Sequence, residues 1–159
     1  MYSISNIIVQ VSINNFGVDT MAAWTAYSKI DFIFWMINSA FGISVMTFVG
    51  QNYGAGKWDR IRRGTKICLG MALISAVSVS IILMSAERFL FGIFVNDAGV
   101  VEIGIRMMNV IAPAYLLFAF IEVFSGALRA QGAVVVSTLI TMVGICVLRM
   151  IWVTLVAAH

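Results

Sequence analysis

Long uncharged runs, broken by small-residue turns and charged clusters, set the pattern of this chain. Four of them predict membrane-spanning helices, at about residues 21–52, 66–86, 101–128 and 134–157, because a span needs roughly 20 apolar residues. A further apolar segment, about residues 1–14, is too short for a full span and predicts a partial helix. Its polar residues Ser3, Asn6, Gln10 and Asn14 recur at helical spacing and share one face. Asn15-Phe16-Gly17-Val18-Asp19 makes a tight acidic turn before the 21–52 helix. At 1.5 Å per residue that helix exceeds a ~30 Å hydrocarbon core, so it projects beyond the membrane or tilts. Pro113, the only proline, removes a backbone hydrogen bond inside the 101–128 helix and predicts a kink there. Gly132 suits a left-handed cap at the end of that helix. The fold class is therefore all-α, a polytopic transmembrane helical bundle of about four full helices and one partial. A β-barrel would need alternating segments of about ten residues, and these runs are unbroken and twice as long.

Charge orients the bundle. Lys57, Arg60, Arg62, Arg63 and Lys66 fall within ten positions, with only Asp59 to offset them. By the positive-inside rule, residues 53–66 form a cytoplasmic loop, and the alternate loop at 129–133 lies on the same side. The inside loops then hold six basic residues and one acidic, counting Arg129. The outside loops hold two basic residues (Arg88, Arg106) and four acidic (Asp19, Glu87, Asp97, Glu102). Between the third and fourth helices, Glu87 to Arg106 is a mixed-charge connection. Phe89 to Val95 is apolar enough to lie at the interface, and Asn96-Asp97-Ala98-Gly99 has turn chemistry.

Composition agrees. Of 159 residues, 62% are hydrophobic and 11% charged, with a mean hydropathy of +1.02; a soluble domain carries about a quarter charged residues. The net charge of +3 sits mostly in one loop beside a span, so it reads as topological charge facing the lipid bilayer and not as a nucleic-acid surface. Cys68 and Cys146 lie inside apolar runs and read as small core residues. No basic n-region and cleavage site follow Met1. The chain opens and closes inside apolar segments, so it is expected to be a piece of a larger plasma (inner) membrane protein.

Three elements carry a family resemblance. Gly50-Gln51-Asn52-Tyr53-Gly54-Ala55-Gly56, followed by Trp58-Asp59-Arg60-Ile61-Arg62-Arg63-Gly64, resembles the loop after the second helix of each half in the multidrug and toxic compound extrusion (MATE) transporters. Ser125-Gly126-Ala127-Leu128-Arg129-Ala130-Gln131-Gly132 resembles that family's element at the end of the fourth helix of a half, departing from it at Ala130-Gln131, where the family usually has Gly-Ala. Asn15-Phe16-Gly17 to Met21-Ala22-Ala23 is similar to its turn between the first two helices. The resemblance implies twelve helices in two six-helix lobes. Residues 1–159 would be most of the second lobe, with the N-terminal lobe and the last helix missing. It also implies efflux of cationic or amphipathic small molecules by antiport with Na⁺ or H⁺ and alternating access, with no other cofactor.

An ionisable side chain inside the membrane is a site candidate by default, and four qualify: Lys29, Asp31, Glu122 and Arg149. Glu122 could bind a proton, sodium or a cationic substrate, or it could cap helix ends near Arg129. Its height, about 10 Å above the cytoplasmic end of its helix, excludes a direct pair with Arg149, whereas Asp31 and Arg149 share the outer half. Lys29 and Asp31 would snorkel or neutralise each other. Trp24, Tyr27, Asp31, Asn38 and Gly42 form one stripe, suited either to flat cationic substrates or to close helix packing. Tyr27, Asn38, Asn6 and Gln10 complete the candidate substrate- and ion-binding set.

No catalytic residue and no metal site is expected. Gly50–Gly56 lacks the spacing of a phosphate loop, the only histidine is His159, and no nucleophile–base pair occurs, so the chain is not read as an enzyme. Two alternatives stand beside drug efflux: a flippase for lipid-linked oligosaccharides, which would need more basic cavity residues, and a truncated fragment without transport activity.

Overall fold

The computed structural model describes residues 17–95 and 97–144. The predicted 1–14 segment, Arg149, Cys146 and the 145–157 part of the last predicted helix lie outside the described residues. Six helices are described: α1 (Val18–Gly54), α2 (Trp58–Ser85), α3 (Glu87–Phe94), α4 (Ala98–Ile111), α5 (Ala114–Ala130) and α6 (Val134–Gly144). α1 and α2 are long and apolar enough to cross a membrane, and α4 with α5 makes a third span bent by 51°.

α1 is the hub. Its buried residues Ala23, Ala26, Tyr27, Ile30, Phe34, Asn38, Gly42, Val45, Val49 and Asn52 recur at intervals of three and four, so they form one stripe along a helix that is apolar on most of its surface. That stripe packs against α5, α2 and α4. The outward faces carry exposed Phe32, Ile43, Ile67, Ile74 and Ile81, as expected where lipid is the solvent.

Three predicted boundaries move. The basic stretch expected as part of a 53–66 loop is mostly helix: only residues 55–57 interrupt it, with Gly56 at φ +66°. The turn closes when the Lys57 amide donates to the Asn52 carbonyl at 2.9 Å, and Arg60, Arg62 and Arg63, all good helix formers, then continue into α2. The connection expected at 87–106 contains the short helix α3, whose Phe91 ring packs where Gly104 lacks a side chain. α4 begins at Ala98, three residues before the expected start, because the Asp97 carboxylate caps it, accepting from the Gly99 amide at 2.7 Å. The bend expected at Pro113 is a full break between α4 and α5. The Ser80 hydroxyl of α2 donates to the Ala112 carbonyl there, at 3.4 Å. Gly132 takes φ +84° after α5, as its cap role requires.

α1 and α5 run parallel and come closest where neither has a side chain. A Cβ added at Gly126 would stand 2.6 Å from the Gly42 carbonyl oxygen, too near for any residue but glycine. Gly126→Ala is therefore expected to lower stability in detergent by about 1–3 kcal/mol, the usual cost of overpacking. Gly70→Ala, where an added Cβ meets nothing within 4 Å, leaves the thermal unfolding midpoint unchanged or raises it.

Candidate functional site

Asp31 stands half-buried on the α1 stripe. Its Oδ1 accepts a 2.6 Å hydrogen bond from the Tyr115 hydroxyl of α5, and its Oδ2 accepts from Trp35 Nε1 at 2.9 Å, one turn along α1. Tyr27, one turn before Asp31 on α1, is 2% exposed. The aromatic rings wall this group: Phe34 stacks on Tyr115 with centroids 3.8 Å apart, and Trp35 leans on Phe118 at 5.1 Å. Tyr115 and Phe34 are almost fully buried. A carboxylate met by two donors in a low-dielectric surround is stabilised more than a solvated one, and it is also where a small cation or proton gains most.

The break at Pro113 positions Tyr115. An unbroken α4–α5 helix would follow one axis; the 51° bend starts α5 one residue before Tyr115 and aims its first turn at α1. Sequence reading passed over Tyr115. The available signal was a phenol next to the chain's only proline inside an apolar run, which calls for a buried partner.

Glu122 is placed differently. Its Oε1 accepts from Arg129 Nη2 at 3.3 Å, along the same helix, and its side chain lies over Gly42, where a Cβ would stand 2.5 Å from that oxygen. Arg129 also donates from Nε to the Ser125 carbonyl. Of the two readings of Glu122, this geometry is the helix-end pairing near Arg129. Lys29 is exposed on another face of α1 from Asp31 and holds its ammonium 5.2 Å from the Phe94 ring centroid, a cation–π contact across to α3. Asn38 lies between Asp31 and Glu122 on the buried stripe, 4% exposed, and its Nδ2 has no hydrogen-bond partner among the described residues. Arg149, Asn6 and Gln10 lie outside the described residues.

The stripe of Tyr27, Asp31, Asn38 and Gly42 thus faces α5, with Asp31 bonded to Tyr115 and Gly42 covered by Glu122. A second polar layer, unforeseen in the sequence, joins α5 to α6: the Ser137 hydroxyl donates to the Ser125 carbonyl at 2.9 Å, and the Ser125 and Thr141 hydroxyls pair at 2.9 Å. Among the described residues, no group of three His, Cys, Asp or Glu could hold a metal ion.

The MatE family matches residues 1–155. The chain is similar to the probable multidrug resistance protein YoeA of Bacillus subtilis (strain 168), 24% identical over 145 residues, which are 91% of this chain and 31% of that protein. It is also similar to multidrug and toxin extrusion protein 1 of Homo sapiens, 23% identical over 128 residues, 80% of this chain and 22% of that protein. Among solved structures, a crystal structure of MATE in complex with MaD5 superposes with a TM-score of 0.78 at 16% identity, covering 96% of this chain and 41% of that one; at that identity the likeness is one of fold. The chain spans about a third or less of the length of these curated relatives.

Replacing Tyr115 by Phe removes one donor from a half-buried carboxylate. The expected loss is about 1.5–3 kcal/mol, the range for hydrogen bonds to charged groups, read as a lower unfolding midpoint in detergent. In an Asp31→Ala background the same change has a much smaller effect.

Proposed function

Because this chain belongs to the MatE family, we propose that it forms part of a multidrug efflux transporter, in which Asp31 is the carboxylate that takes up the coupling cation. The observation that carries the reading is the Asp31–Tyr115–Trp35 group. It is the half-buried carboxylate of a membrane span held by a side chain of a second helix, and an intramembrane carboxylate of that kind is costly unless it has a task. The names of the relatives, multidrug resistance and toxin extrusion proteins, support drugs and toxins as the substrate class; in our proposal these are cationic or amphipathic small molecules, exchanged for H⁺ or Na⁺.

A cation arriving at Asp31 competes with the Tyr115 and Trp35 donors for the same two oxygens. Loading the carboxylate would loosen the bond between α1 and α5, and unloading would restore it, so occupancy is coupled to helix packing. Asn38, whose amide nitrogen has no hydrogen-bond partner among the described residues, offers a polar step along the same interface. Alternating access against a second lobe, and a cytoplasmic position for residues 53–66 and 129–133 in the plasma membrane, complete the proposal. The positive charge of the first turns of α2 supports that sidedness. Glu122, neutralised by Arg129, serves the inner end of α5 structurally.

Ethidium efflux from energised cells expressing the intact protein tests the assignment. At unchanged membrane abundance, Asp31→Asn is expected to abolish efflux, while Glu122→Gln keeps most of it, since a partly exposed ion pair is worth no more than about 1 kcal/mol. Full efflux from Asp31→Asn, or its loss only in Glu122→Gln, would move the coupling role off Asp31.

A further inference from the structure

The helical form of the basic stretch sorts its charges into stripes. Arg60 and Arg63 are three residues apart and share a face with Gly64, Ile67 and Met71 of α2. That face meets Ser44 and Phe48 of α1 across a groove of about 500 Å³. Gly64 leaves room for Phe48: a Cβ there would overlap the Phe48 ring, which packs against α2 at this point and lines the groove. Ile67 and Met71 are 62% and 51% exposed along it. Both guanidiniums are exposed, and neither forms an ion pair among the described residues, where the one ion pair is Arg129–Glu122. Two unpaired cations at the first turns of α2, where the helix dipole adds positive potential, stand at the end of an apolar channel that runs along a membrane span.

We propose that this groove between α1 and α2 is a binding site for an anionic glycerophospholipid. Its phosphate sits on Arg60 and Arg63, and one acyl chain lies along Phe48, Ile67 and Met71. An arginine pair at this spacing presents several N–H donors to phosphate oxygens. The acyl chain gains little by leaving other lipid tails, so the preference over a zwitterionic lipid comes from the charge pair, and the groove sets where the lipid stays. This site is separate from Asp31 and does not depend on the transport reading.

The test is native mass spectrometry of the intact protein released from vesicles of phosphatidylcholine and phosphatidylglycerol. Wild type is expected to retain phosphatidylglycerol over phosphatidylcholine by on the order of tenfold, from two basic residues at the surface. R60Q/R63Q abolishes the preference. Ser44→Trp fills the groove at unchanged charge and also abolishes it; the Ser44 hydroxyl bonds only back to the Ala40 carbonyl of its own helix at 2.7 Å, so no link between helices is cut. Lys57→Gln, off the groove, leaves retention as in wild type. Should R60Q/R63Q fail to fold, Ser44→Trp decides. No preference in wild type, or a preference that survives Ser44→Trp, overturns the proposal; the first outcome would mean that protein covers the groove, and the second that the charges attract headgroups without a bound chain.

Discussion

The close approach of α1 and α5 at Gly42 and Gly126 is the contact on which the rest of the arrangement depends. In a bilayer the hydrophobic effect does not drive helices together, so packing of small residues and interhelical hydrogen bonds must do so. Here the two devices are in register. The Asp31–Tyr115 bond and the Gly42–Gly126 contact lie eleven residues apart on both helices, about three full turns, so both contacts fall on the same face at matching heights. The glycines let the backbones come near enough for the polar bond to form, and the break at Pro113 brings Tyr115 onto the facing side.

Three charges within the described residues of the spans fall into different environments. Asp31 is held by aromatic donors from two helices, Glu122 by an arginine two turns along its own helix, and Lys29 by an aromatic face. Only the first ties two spans together, which is why a change of charge there would be felt as a change of helix packing. The other two are settled locally and would transmit little.

The bundle was legible in the sequence because bilayer thickness fixes the length of an apolar run, and the runs at 21–52 and 66–86 were plain on that ground. The Pro113 break and the Gly132 cap were legible for covalent reasons, a missing N–H and a missing Cβ. The start of α2 was not. Hydropathy marks where a helix enters lipid, not where it begins, and arginine-rich turns stay helical in water. The site was half legible. Asp31 stood out as a charge in an apolar run, but its partner Tyr115 is 84 residues away and only the helix register brings them together. The pairing of Glu122 with Arg129 was visible as a distance along one helix, whereas the glycine groove that receives Glu122 depends on α1.

Whether the glycine contact holds the polar site in place can be measured directly by a thermodynamic cycle combining Gly126→Ala with Tyr115→Phe, following unfolding of the intact protein in detergent. The two positions are about 16 Å apart along α5, a separation at which independent changes add. If the close approach positions Tyr115, spreading the helices already weakens its bond to Asp31, and the double variant loses less stability than the two single losses combined, by at least about 0.5 kcal/mol. Strict additivity would contradict this, leaving the glycine contact and the Asp31 group as two unconnected features of one interface.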